Sequence, residues 1–204
     1  MGDVYERMID RWSIDEDGDP IDPSAVFGGE SRTILEIGCG RGDLAVSYAK
    51  AHPNDALMAI DVHTRGIANI LAGIETHDLG NVRVIEGDAQ VFVRRLPPGS
   101  IDEMWVFFPD PWPKVRHRNR RLLRDDLIAM LTEPLKVGGV LRLATDIEDY
   151  ARTASSAVAA SGRFADPSLG RPDWRIETVF ERRGVREGRD AIDLAWTRVV
   201  EPSC

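Results

Sequence analysis

Five short apolar runs constrain this chain more than any other feature. They are TILEIG (33–38), ALMAIDV (56–62), NVRVIEGD (81–88), IDEMWVFF (101–108) and GGVLRLATD (138–146). Each has the length of a strand and stops at a glycine, an acid or a proline. Between them, residues 43–50, 64–78, 89–95, 119–135 and the Ala-rich 147–161 carry helical spacing of apolar residues. A short helix near residues 3–12 and an acidic loop come first. After a loop at 163–174, RIETVFERR (175–183) and AIDLAWTRVV (191–200) read as two closing strands. Strand–helix alternation followed by a strand pair predicts an α/β chain with an open, mostly parallel seven-stranded sheet and an antiparallel C-terminal strand. Residues 1–31 read as a short acidic segment and 32–204 as one domain. Sheets of this kind bind ligands at the carboxyl ends of their strands, where the strand order reverses.

The charge pattern narrows the partners. The net charge is −8, against a general polyanion binder. Residues 114–124, KVRHRNRRLLR, nevertheless hold six Lys/Arg and no carboxylate, leaving 20 basic against 34 acidic residues elsewhere. A focused phosphate site is compatible with that asymmetry, and Arg116, Arg118, Arg120 and Arg121 are its candidates. Cys39 and Cys204 are far apart and the four histidines are scattered, so no metal site is expected. Low cysteine use fits a reducing cytoplasm. No run approaches the ~18 apolar residues of a membrane span.

The motifs fall at strand ends. Glu36-Ile37-Gly38-Cys39-Gly40-Arg41-Gly42 makes a tight strand-to-helix turn in which Gly38 and Gly40 let a ligand approach the backbone. It reads GxGxG, not the GxGxxG of dinucleotide binders. Asp61 ends the second strand, placed to accept ribose hydroxyls. Asp88 ends the third, placed to accept from an adenine amino group. Together with Glu36 these acids suit the positively charged S-adenosylmethionine better than a pyrophosphate. At the fourth strand's end, Phe107-Phe108-Pro109-Asp110-Pro111-Trp112-Pro113-Lys114 fixes an acid between two prolines and offers a stackable Trp. Ala144-Thr145-Asp146 ends the fifth strand. Thr178-Val179-Phe180-Glu181 lies on the later predicted strand.

LEIGCGRG, AIDVH, GDA, FFPDPWPKVRHRNRRL, ATD and TVFERRG, in this order, resemble the bacterial tRNA (guanine-N7-)-methyltransferases over residues 32–198. The resemblance implies a Rossmann-like class I methyltransferase domain that uses S-adenosylmethionine to methylate N7 of the variable-loop guanine at tRNA position 46. It implies donor contacts from Glu36, Asp61, Asp88 and Asp110, with Asp110 also the active-site residue. It implies substrate contacts from Lys114, Asp146 and Thr178, Val179, Phe180 and Glu181. Members usually carry an Arg-Gly-Arg stretch before the first strand, and none precedes Thr33 here. Two other readings stand beside this one: methylation of another RNA base or an exocyclic amino group, and a non-catalytic tRNA-binding protein that keeps the donor pocket. The sequence leaves open whether the protein is a monomer or a homodimer.

Overall fold

The structure, a computed structural model, describes residues 2–200, without the side chains of Val115 and Arg118. Its sheet is built from β1 (Thr33–Ile37), β2 (Ala56–Asp61), β3 (Val82–Glu86), β4 (Ile101–Phe107), β5 (Leu135–Thr145), β6 (Ser168–Leu169) and β7 (Ile192–Thr197). These seven strands run in the order β3-β2-β1-β4-β5-β7-β6. β1 to β5 pair in parallel, and β7 pairs antiparallel with both β5 and β6. The strand order reverses between β1 and β4, which opens a crevice at their carboxyl ends.

Alternation along each strand supplies two cores. Ile34, Leu57, Val82 and Trp105 face one side, under α1 (Gly2–Trp12), α3 (Asp43–Ala51) and α4 (Thr64–His77). Leu35, Met58, Ile85 and Met104 face the other, under α5 (Ala89–Val93), α6 (Asp125–Thr132) and α7 (Glu148–Ala160). Because both faces are covered, every residue of β1 and β2 is buried and the strands read as continuous apolar runs. The acidic N-terminal segment is stitched to this body. Val4, Tyr5, Met8, Ile9 and Trp12 of α1 pack on the first core. Ser13 forms a parallel bridge with Val84, and a further helix, α2 (Pro23–Phe27), breaks the expected loop.

Three expected elements are corrected. Residues 175–183 are not a strand: α8 (Val179–Arg186) starts there, with the Thr178 hydroxyl accepting from Glu181 N at 3.2 Å. The alternation of Ile176, Thr178 and Phe180 hides a T-x-x-E helix-start signal, and the cap prevails. The remaining strand is Ser168–Leu169, inside the expected loop. Both its residues are exposed, so it leaves no apolar pattern to read. The helix expected over 119–135 divides into a 3₁₀ turn at Val115–Arg120 and α6. Asp125 and Asp126 favour a start at the positive end of α6; Glu133 still has helical dihedrals (φ −60°, ψ −51°), and Pro134 after it has no N–H with which to continue the ladder.

Candidate active site

The glycine turn is held from two sides. Gly38 N and Cys39 N donate to the Ile60 carbonyl at 2.8 and 3.1 Å. Gly40 N donates to Asp61 Oδ2 at 2.7 Å, and His63 N to Asp61 Oδ1 at 2.9 Å. Asp61, 8% exposed, thus ties the β1–α3 turn to the start of α4 while ending β2 at the crevice. The approach is close enough that a Cβ on Gly66 would collide with the Gly40 carbonyl. Gly40 itself sits at φ +58°, a conformation that favours glycine.

Glu36, the penultimate residue of β1, is 3% exposed. Its Oε2 has no hydrogen-bond partner among the described residues. Burial, with a smaller contribution from the charge of Asp61, pushes its pKa up from 4.5 to about 8. Burial likewise raises the Cys39 thiol, with Glu36 and Asp61 adding to it. An orphaned buried carboxyl beside a second acid is a place where a cation would be bound strongly. Asp88 is exposed at the end of the β3 crossover, where its Oδ1 caps α5 by accepting from Gln90 N at 2.8 Å.

Register places the other half of the site beside this one, since Ile37 pairs with Val106. Beyond β4 the chain turns through Phe108 (φ 50°) and Trp112 (φ 40°), two bulky residues in left-handed conformations that bracket Asp110. Such residues typically cost ~1–3 kcal/mol each and persist only where surrounding structure holds them. Phe108 N donates to the Ala144 carbonyl at 2.7 Å, and Arg121 Nε donates to the Pro111 carbonyl at 2.9 Å. The Asp110 side chain is exposed and, among the described residues, carries no hydrogen bond or ion pair.

The basic segment divides by burial. Lys114, Arg116 and Arg120 are exposed, with Arg120 lying 4.9 Å over the Trp112 ring. The side chain of Arg118 lies outside the described ones. Arg121 is corrected as a phosphate contact: it is 2% exposed and donates to Asp149 Oδ2 and Thr153 Oγ1, both at 2.7 Å. Its guanidinium fastens the acceptor loop to α7 and has no face left for solvent.

The 178–181 stretch closes the crevice from above. Phe180 is 50% exposed and lies against Gly40, with a ring carbon 3.2 Å from where a Cβ would sit. Between it, Thr178, Val179, Glu36 and Phe107 remains a cleft of about 30 Å³. Phe180 thus narrows the crevice beside Gly40. Glu181 is turned away from the cleft, into ion pairs with Arg171 and the fully buried Arg175, each at 2.8 Å. Asp146 Oδ2 accepts from Arg189 Nε at 2.8 Å, close against Gly184. Among the described residues, no group of three or more His, Cys, Asp or Glu gathers as a metal site. A larger hollow, about 430 Å³, lies at the opposite ends of β2 and β3 beside Lys50, Asn54 and Asn81, away from every motif above.

A family model described as "Putative methyltransferase" matches residues 30–194. A tRNA (guanine-N(7)-)-methyltransferase of Nitrosomonas europaea is 39% identical over 199 residues, covering 96% of this chain and 89% of that protein. One of Streptomyces avermitilis is 37% identical over 205 residues, covering 98% and 71%. This chain belongs to the tRNA (guanine-N(7)-)-methyltransferase family. The fold is shared more widely by methyltransferases. The 16S rRNA methyltransferase KamB superposes with a TM-score of 0.65 at 18% identity, covering 90% of this chain and 96% of that one. A 16S rRNA (adenine(1408)-N(1))-methyltransferase from Catenulisporales acidiphilia, solved with the cosubstrate S-adenosylmethionine, gives 0.63 at 19% identity, covering 92% and 95%.

S-adenosylmethionine is the cofactor that a methyltransferase of this family requires, and the crevice fits it. The orphaned Glu36 oxygen matches the donor's ammonium, and Gly40 leaves the backbone open to approach. Neither Gly66 nor Glu16, described below, stood out in the sequence. Gly66 lies inside a helical pattern with no motif, and Glu16 is one acid among many.

Proposed function

We propose that this protein transfers the methyl group of S-adenosylmethionine to N7 of a guanine in tRNA, the one at position 46 of the variable loop. The observation that carries this reading is the juxtaposition at the crevice. Among the described residues, Glu36 near the end of β1 has a buried carboxyl oxygen without a partner, and Asp110, which carries no hydrogen bond or ion pair, follows the adjacent β4. Residues 32–204 form the catalytic domain in this reading, and a tRNA substrate places the protein in the cytoplasm.

Bound in the crevice, the donor supplies a methyl group on a positively charged sulfur. Guanine N7 holds an in-plane lone pair and no proton, so the chain need not provide a general base. N7 forms the new bond to carbon, the carbon–sulfur bond breaks, and its electron pair stays on sulfur. Positive charge moves onto the purine. Asp110 accepts from the guanine N1–H and amino edge and stabilises that charge, and its two flanking prolines limit the entropy lost in holding it there. Glu36 pairs with the donor's ammonium, Asp61 and Asp88 meet the ribose and the adenine, and Gly38 and Gly40 admit the backbone-side contact. Thr178, Val179 and Phe180 flank the reacting centre and exclude water from it. Lys114, Arg116 and Arg120 contact tRNA phosphates; Asp146 and Glu181 act at one remove, positioning α8 through Arg189, Arg171 and Arg175.

The test is incubation with S-adenosylmethionine and unmodified tRNA, followed by nucleoside and positional mapping. The expected product is 7-methylguanosine at position 46. Methyl on an exocyclic amino group would overturn the choice of atom, and no transfer to tRNA would overturn the reaction.

A further inference from the structure

We propose that Glu16, on the acidic N-terminal strap, is a donor-binding residue that reads the 6-amino edge of the adenine together with Asp88. The inference rests on the donor reading above. Residues 13–21 cross the carboxyl end of β3. Ile14 N donates to the Val84 carbonyl at 2.9 Å, and Ile21 N to the Arg95 carbonyl at 2.9 Å. Arg95 Nε donates to the Asp19 carbonyl at 2.9 Å, and its Nη1 donates to the Asp15 carbonyl. The strap is therefore fixed at both ends, and Glu16 projects from its middle.

Glu16 Oε2 accepts from the backbone N–H of Asp88 itself. The approach requires Gly87, where any Cβ would collide with the Glu16 carboxylate. Two carboxylates thus meet at a single residue. Among the described residues, Glu16 Oε1 and Asp88 Oδ2 have no hydrogen-bond or ion-pair partner. Arg95, which binds the strap, is spent on backbone carbonyls. No third metal-ligating side chain joins them among the described residues. Two acceptors of like charge side by side are stabilised by a group that only donates, and donates twice. An exocyclic amino group has two N–H bonds and fits that demand. A 6-oxo purine would place an acceptor against two carboxylates.

The experiment measures calorimetric affinity for S-adenosylhomocysteine and for its nebularine analogue, in which hydrogen replaces the 6-amino group and N1 stays an acceptor. The wild-type protein is expected to prefer the adenosine ligand by about tenfold or more, the scale of one hydrogen bond to a charged group. Glu16→Ala should weaken that ligand by about tenfold and leave the nebularine analogue unchanged. Glu16→Gln keeps an acceptor for Asp88 N–H and so keeps the strap in place. Its amide NH2 then faces the 6-amino group donor to donor, and the preference should shrink. Equal losses for both ligands would mean that the strap is only a wall. Equal gains would mean that Glu16 blocks the site. Unchanged preference in both variants would also overturn the inference while leaving donor binding intact. If the wild-type protein binds neither ligand, the donor reading itself fails.

Discussion

At the ends of β1 and β2 the side chains are tied to backbone or sealed from water. Both oxygens of Asp61 accept from backbone N–H groups, and Glu36 is buried. Beyond β4 the arrangement is the reverse. Asp110, Lys114, Arg116 and Arg120 are exposed, and the loop that carries them is held through its backbone by Phe108 N and Arg121. The donor half presents a fixed shape to a small ligand whose every atom is the same in each turnover. In the proposed function, the acceptor half fixes the position of one carboxylate and leaves its cations exposed to meet a polyanion whose contour varies from one tRNA to another. Rigid pairing of those cations within the protein would remove them from the phosphates they are placed to meet.

The strongest way to break this contrast is to show that the exposed half does no chemistry. Asp110→Ala is expected to lower single-turnover methylation by ~10²–10³ at saturating donor and tRNA, with much smaller changes in tRNA affinity. Asp110→Asn retains shape and one acceptor but loses charge, so it separates electrostatics from positioning. Donor affinity has to be measured alongside, since the proposed function also sets Asp110 beside the donor. Near-normal turnover in Asp110→Ala would leave this acid as a loop-shaping residue.

The next effect lies within the basic run. Arg121→Ala removes four hydrogen bonds from a buried guanidinium and leaves the Pro111 carbonyl without its partner. A destabilisation of about 1–3 kcal/mol is expected in urea unfolding, for a lost buried partner. Arg120→Ala, on the exposed side, should stay within about 0.5 kcal/mol of wild type. Equal midpoints for the two variants would erase the distinction that burial draws between them.

The donor half makes a prediction in pH. Because Glu36 titrates near 8 when folded and near 4.5 otherwise, the folded protein keeps a proton that the unfolded chain has already lost. Stability of the ligand-free protein therefore falls as pH climbs from 4.5 to about 8. Glu36→Gln should flatten that slope. The ammonium of the donor needs the ionised form, so donor affinity should rise from about pH 6 to about pH 7 by up to about tenfold, since one pKa unit is ~1.36 kcal/mol. Up to one proton should be released on binding, seen by calorimetry in buffers of different ionisation enthalpy. Binding with no proton release in that range would mean that the donor's ammonium does not pair with Glu36.

What the sequence disclosed follows the same division. The five parallel strands and the glycine turn were legible because burial on both faces leaves continuous apolar runs, and a tight turn needs glycine. The last part of the sheet was not. Ser168–Leu169 joins an edge with both residues exposed, and Thr178–Glu181 shows strand periodicity while forming a helix cap. The acids at the strand ends could be placed from spacing alone. Arg121 could not be told from Arg120, because adjacent residues in a charge run differ only in which way the turn points them. Glu16 was hidden for the same reason within an acidic stretch, and it takes the pairing of Ser13 and Ile14 with Val84 to bring it to β3.

The smallest effect concerns the exposed cations. Each phosphate contact that releases counterions steepens the fall of log Kobs with log salt by about 0.7–0.9. Neutralising Arg116 and Arg120 together should therefore flatten the slope by roughly 1.4–1.8 if both touch phosphate in the complex. The stacking of Arg120 on Trp112 bears on that figure. If the ring holds the guanidinium in place, its planar fork meets phosphate with little entropy to lose, and Arg120→Lys should bind more weakly than wild type while keeping the same slope. If Arg120 instead serves only to shield Trp112, Arg120→Lys and Arg120→Ala should share one shallow, unchanged dependence. A slope equal to wild type in the double variant would show that the acceptor half grips tRNA elsewhere and that its free cations are a solvated face.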